Sequence, residues 1–171
     1  MALRPAKTTR TVKRPYTRVS KKKPRKSYVV GVPFPHIHTF EMGDREAEFD
    51  TELYLVAENA VQIRDNALEA SRIVAHNLLD KKIPKGFFMK VLVYPHHVLR
   101  EHSIAMGAGA DRYSQGMAHA FGKPKGIAVQ IKPGQRLFML RVNAQNLKTA
   151  KEALKRASSK IPTSARIEIK E

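Results

Sequence analysis

DNALEASRIVAHNLLDKKIPKGFFMKVLVY, residues 65–94, decides the fold. Its first half repeats apolar or small residues at helical spacing. Leu68, Ser71, Val74, Ala75, Leu78 and Leu79 line one face, which predicts an amphipathic helix over Asp65–Lys81. Asn66 and Glu69 stand at capping-box spacing, and Pro84 with Gly86 ends the helix. Phe87–Tyr94 then changes period from 3.6 to 2, with Phe87, Met89, Val91 and Val93 on the core side of a strand. A helix feeding directly into a strand makes this a mixed chain.

Working toward the N-terminus, Thr51–Ala57 reads as a strand with Leu53, Leu55 and Ala57 facing one way. Glu41–Asp50 is a charged turn region, and His36–Phe40 alternates like a strand after the proline-rich start near Val29. Toward the C-terminus, Ile127–Ile131 and Arg136–Val142 are strands joined through Lys132-Pro133-Gly134-Gln135, read as a hairpin closed by a type II turn. Leu147–Ser159 is a second helix, capped by Asn146, with Ala150, Ala153, Leu154 and Ala157 inward and Lys148, Lys151, Lys155 and Arg156 outward. Ala165–Lys170 alternates as a closing strand. The order β-β-α-β-loop-β-β-α-β predicts an α+β fold, two helices packed on mainly antiparallel strands. The expected organisation is an arm over residues 1–27, disordered when free, and one α+β domain over 28–171.

Between the strands lies Arg100–Gly126, REHSIAMGAGADRYSQGMAHAFGKPKG, read as one long loop. It holds five of the chain's nine glycines, including Gly107, Gly109 and Gly116. Glycine lets backbone approach a partner closely. Arg100, Arg112, Lys123 and Lys125 add cations, while His102, Tyr113, His119 and Phe121 add flat rings. Bare backbone, guanidinium and rings suit a polyanion with stackable bases, which points to RNA.

Charge supports that partner. The 171 residues carry a formal net charge of +17. Of the 32 Lys and Arg residues, eleven lie before residue 28: Arg4, Lys7, Arg10, Lys13, Arg14, Arg18, Lys21, Lys22, Lys23, Arg25 and Lys26. No acid precedes Glu41, and Pro5, Pro15 and Pro24 oppose helix formation, so self-repulsion favours an arm that orders on RNA. No apolar run reaches membrane-span length, so no membrane contact is expected. The absence of cysteine removes disulfides, thiolate chemistry and Cys-ligated zinc, and is compatible with a reducing cytoplasm.

Enzymatic signatures fit poorly. Gly107-Ala-Gly109-Ala-Asp-Arg112 puts arginine where a dinucleotide fingerprint needs its third glycine. Gly116 to Gly122-Lys123-Pro124 is one residue too long for a phosphate loop, and proline replaces its Ser/Thr. His102, Asp111 and His119 offer acid–base groups without a supporting carboxylate cluster, so no catalytic residue and no cofactor is expected. His36 and His38, two residues apart, would share a strand face, but no tight metal-ligand motif completes them.

The blocks GAGADRYSQGMAHAFGKPKG (107–126), YPHHVLRE (94–101) and ALEASRIVAHN (67–77) together resemble the large-subunit ribosomal protein family called L-ten-e in archaea and eukaryotes and L-sixteen in bacteria. The resemblance runs from Arg4-Pro5-Ala6 to the final strand and is closest in character to archaeal members. It implies an α/β-hammerhead fold and a place in the large subunit, bound to rRNA near 5S rRNA and the peptidyl-transferase centre beside other ribosomal proteins. It also implies contact with aminoacyl-site tRNA through Glu101–Gly116 and a part in late subunit assembly. Arg100, Arg112, His119, Lys123 and Lys125 occupy the matching motif positions. Other readings are a free-standing RNA-binding or chaperone module, and an enzyme using the His102/Asp111/His119 loop.

Overall fold

The computed structural model describes residues 4–12, 29–102, 107–109 and 122–170. In chain order the elements are β1 (Glu41–Gly43), β2 (Thr51–Ala57), β3 (Val61–Arg64), α1 (Asp65–Lys82), β4 (Phe87–Val91), β5 (His97–Glu101), β6 (Lys123–Ile131), β7 (Arg136–Val142), α2 (Leu147–Ser158) and β8 (Ala165–Lys170). They form an α+β fold with two antiparallel sheets. One runs β1-β4-β7-β2-β8 and the other β3-β6-β5. Both helices pack on one apolar core that draws from both sheets. Leu53, Leu55, Phe87, Met89, Phe138 and Leu140 come from the large sheet, and Val61, Ile63, Val129 and Ile131 from the small one.

The helical faces match their periodicity. Leu68, Ser71, Ala75, Leu78 and Leu79 of α1 are buried, as are Ala150, Ala153, Leu154 and Ala157 of α2. A buried Leu contributes about 1.5–3 kcal/mol, whereas helix propensity differences are tenths, so packing holds these helices in place. The Ser71 hydroxyl donates to the Ala157 carbonyl at 2.8 Å and ties α1 to the end of α2.

The capping expectations do not hold. Arg64 is the N-cap of α1 and Asp65 its first residue; no side-chain capping bond forms there or at Asn146. Glu69 instead pairs with Arg72, and the buried Asn66 Oδ1 has no partner. The buried Asp65 carboxylate takes over the helix start. It accepts from the Asn66 amide at 2.9 Å, the His36 amide at 3.0 Å and the His36 ring at 2.7 Å. That capture accounts for another correction: His36–Phe40 is not a strand, and pairing begins only at Glu41.

The expected hairpin between Ile127–Ile131 and Arg136–Val142 is absent, because those strands enter different sheets. The turn itself forms: Gln135 N donates to the Lys132 carbonyl at 3.2 Å, and Gly134 takes φ +77°. A type II turn splays its flanking strands, unlike the primed turns of tight hairpins. Here the splay is held by Gly134 N to the Ala57 carbonyl at 2.8 Å and Ala57 N to the Gln135 carbonyl at 3.0 Å. Among the described residues, β5 and β6 are the one pair of consecutive strands that bond to each other.

That pair shortens the expected loop. Arg100 and Glu101 belong to β5, and Lys123, Pro124, Lys125 and Gly126 to β6. Pro124 is accommodated because the register shifts between Leu99 and Arg100, where a missing amide donor is tolerated. Three short strands, β1, β3 and β5, carry too little pattern to be read from sequence, and β1 occupies the start of the region expected to be a charged turn.

Candidate nucleic-acid interface

The beginning of the arm is seated on the body. Residues 4–12 lie along the outer edge of β3, with a 3-10 turn at Ala6–Thr8. Gln62 N donates to the Arg10 carbonyl at 2.8 Å, the Gln62 side chain to the Thr9 carbonyl at 2.6 Å, and the Arg64 guanidinium to the Arg4 carbonyl at 2.8 Å. Gln62 is 4% exposed and also accepts from Gln130 of β6 at 3.1 Å, so the anchor is built into the small sheet. An edge strand carries unpaired backbone groups, and this segment satisfies the Gln62 amide of β3. Arg4, Lys7 and Arg10 all remain exposed here. Lys13, Arg14, Arg18, Lys21, Lys22, Lys23, Arg25 and Lys26 lie outside the described residues, as does most of the expected RNA-ordered arm.

Arg4 then reaches across to Glu101 in a close ion pair. Glu101 closes β5 at the foot of the glycine-rich segment, so Arg4 ties the start of the arm to that stem, whereas Arg10, Thr11 and Val12 lie at the other end of β3 beside Asn59, Ala60 and Val61. Neither the arm nor the loop composition signals this. Opposite Glu101 stands Lys123, with Lys125 two residues on; both are exposed on alternate positions of β6. Arg100 lies half-buried on β5, and His102 follows the strand end. Gly107 and Gly109 adopt φ +122° and +76°, a region where a side chain is strained. Arg112, Gly116 and His119 lie outside the described residues, together with Asp111.

α2 supplies a third cationic surface. Lys148, Lys151 and Lys155 repeat on one exposed stripe. The one acid of the helix, Glu152, is taken by Lys82 at 2.8 Å and by Arg156 at 2.7 Å. The hydrogen bond from Lys82 comes first in holding the Glu152 carboxyl below its usual range, with Arg156 adding to it. The helix therefore offers the stripe no counter-charge of its own.

The outer face of the large sheet is different in kind. Tyr54, Val56, Phe88 and Met139 form a small apolar cluster there, with Phe49 against it. Arg136 lies 4.0 Å over the Tyr54 ring, and Arg141 pairs with Glu52 at 2.6 Å. The Tyr54 hydroxyl, donating at 2.7 Å, is the main cause of a lowered Glu52 carboxyl, with Arg141 next. Arg166, opposite Val56 on the same face, pairs with Glu168 at 2.8 Å, so these three arginines are already occupied.

Among the described residues the histidines do not converge, and no group of three His, Asp or Glu side chains is placed to hold a metal. His36 is taken by Asp65, and His97 is buried in β5 with Nδ1 unpartnered. Burial, then Arg100, lowers the His97 pKa.

The family described as "Ribosomal protein L16p/L10e" matches residues 15–168. A "Large ribosomal subunit protein uL16" of Archaeoglobus fulgidus is 45% identical, covering 98% of this chain and 92% of that protein. Its namesake in Staphylothermus marinus is 45% identical over 99% of this chain and 95% of its own length. The Methanococcus maripaludis protein of that name is 43% identical, with 98% and 94% covered. With a match running from the arm to the last strand, the chain belongs to the ribosomal protein L16p/L10e family.

Proposed function

We propose that this chain is a structural, RNA-binding constituent of the large ribosomal subunit, with no catalytic chemistry of its own. Family membership carries the assignment; charge and geometry support it. The arm root and the β5–β6 stem meet through Arg4 and Glu101, so the first cation of the arm stands beside the stem that carries Lys123 and Lys125. In this reading Arg4, Lys7 and Arg10 at the root, the remaining arm cations, and Arg100, His102, Lys123 and Lys125 at the stem contact rRNA. Arg112 and His119, with Gly107, Gly109 and Gly116 giving close backbone approach, serve the tRNA-proximal end. The site is the neighbourhood of 5S rRNA and the peptidyl-transferase centre, where Glu101–Gly116 helps position aminoacyl-site tRNA.

Two experiments test this. Co-sedimentation at high salt should find the protein with large subunits; a protein that leaves them entirely is a free-standing RNA binder. Arg112→Ala should be incorporated near-normally, since removing one bidentate pair costs roughly 1–3 kcal/mol against a many-contact anchor. It should nevertheless slow aminoacyl-tRNA accommodation or peptide formation. Abolished incorporation, or no effect on either readout, would refute the division between anchoring and positioning.

A further inference from the structure

The crossing from β4 to β5, Leu92–His96, belongs to neither the arm nor the glycine-rich segment. It is extended and alternates strictly. Val93 and Pro95 point inward with His97, whereas Leu92, Tyr94 and His96 point outward. Leu92 and Tyr94 are 40% and 44% exposed, among the more exposed large apolar side chains of the body. The outward rings are not isolated. Phe40 and Tyr94 stack with centroids 5.6 Å apart and 22° between planes, and Tyr94 meets His96 at 4.7 Å.

The three rings run from inside to outside. Phe40 packs partly buried against the main core, and its carbonyl accepts from Val91 N at 2.8 Å. Tyr94 is half in water, and His96 is exposed. The backbone beneath is held by Leu92 N donating to the Leu137 carbonyl at 2.9 Å and by the buried Pro95. A ring ladder rooted in a core and open at its outer end, where His96 tilts 47° from Tyr94, offers a pre-ordered aromatic surface in water. Its inner spacings are already closed, so a guest adds at the open end and does not insert.

We propose that the Phe40–Tyr94–His96 ladder is a stacking site for an unpaired nucleobase of RNA, additional to the arm and the loop; the proposal rests on the RNA-binding reading above. Every base has a π-face, so aromatic platforms bind single-stranded RNA with little sequence demand. Charge favours RNA over an apolar protein segment as the occupant. The crossing runs directly into β5, where Leu99 pairs opposite Gly126, the neighbour of Lys125. That places the backbone of an exposed cation about 12–13 Å from His96, at ~3.3 Å per strand residue and ~4.8 Å between strands, within reach of a phosphate near the stacked base.

A purely structural role for the stack is separable by spectroscopy. The chain contains no tryptophan, so His96→Trp creates a single reporter at the open end, where the base stacks. The full-length protein is titrated at about 50 mM salt, where phosphate contacts are strong, with a short oligoadenylate and with an abasic oligomer of equal phosphate number. Oligoadenylate should quench the indole emission of the His96→Trp variant strongly, and the abasic oligomer only weakly. His96→Ala should lose roughly tenfold or more in oligoadenylate affinity, as loss of one stacked base does, yet bind the abasic oligomer like wild type. His96→Phe should stay near wild type. If His96→Ala proves unfolded by circular dichroism, the indole quenching of His96→Trp decides instead. Binding of both oligomers with unchanged indole emission overturns the stacking site while leaving RNA binding intact. Failure of the wild type to bind either oligomer overturns both the site and the reading on which it rests.

Discussion

Gly43 sits at the end of β1 with φ +88°, and a Cβ there would lie 2.1 Å from the Phe87 carbonyl oxygen. Strain and clash act together, and the neighbour is backbone, which cannot step aside. Gly43→Ala is expected to cost about 2–4 kcal/mol, combining left-handed strain with a forced shift of the β1–β4 ladder. Urea unfolding would measure it; a change under ~1 kcal/mol would show that β1 simply detaches. His97 gives a pH signature. Its folded pKa is lowered below the ordinary 6.5, by burial first and then by Arg100. The folded state thus binds that proton less readily than the unfolded one. Stability from this group is complete above about pH 6.5 and declines as pH falls toward the folded pKa, by at most ~1.4 kcal/mol per unit. His97→Gln should flatten that part of the profile, read from urea midpoints at successive pH values.

At the element scale, the two helices meet through Ser71. Its hydroxyl is buried and donates to the Ala157 carbonyl at 2.8 Å. Ser71→Ala should destabilise by about 1 kcal/mol, because the carbonyl loses its side-chain donor. Ser71→Val should cost more, since a β-branched side chain must enter a closely packed helix contact. Thermal melts of the two variants would rank them, and the reverse order would mean that the site is loosely packed. The β6–β7 turn marks the limit of local pattern. Pro133-Gly134 announces a turn and Gly134 takes its positive φ, so the local chemistry was legible. Which strand receives each arm was not, because the turn is tied to Ala57, far away in the chain. β3 was missed for a related reason: Val61–Arg64 is short, runs directly into α1, and buries Gln62 as well as its apolar residues.

At the scale of the whole molecule, the arm root and the domain share bonds. Deleting residues 1–12 removes the acceptors of Gln62 and Arg64 and bares the β3 edge. The expected result is a lower melting temperature together with weaker RNA binding. Deleting 13–27 internally, with the root retained, should weaken RNA binding alone. In each case the log–log salt slope should fall by about 0.7–0.9 for every phosphate that the protein no longer neutralises. Equal melting temperatures for the two deletions would mean that the root contributes nothing to the fold.

Local pattern was enough for the two helices and their inner faces, for strands β2, β4, β6, β7 and β8, and for the basic character of the arm and the glycine-rich segment. These follow from period, charge and turn chemistry, which act over a few residues. The family was legible too, because its glycine-rich block is long and distinctive. Pairing was not. Only the tertiary structure puts β6 and β7 in separate sheets, gives Asp65 rather than Asn66 the helix start, joins Arg4 to Glu101, and stacks Phe40 on Tyr94. Each of these contacts joins residues distant in sequence. Local propensity is nearly indifferent to such partners, and the shared core selects them by bringing their elements together.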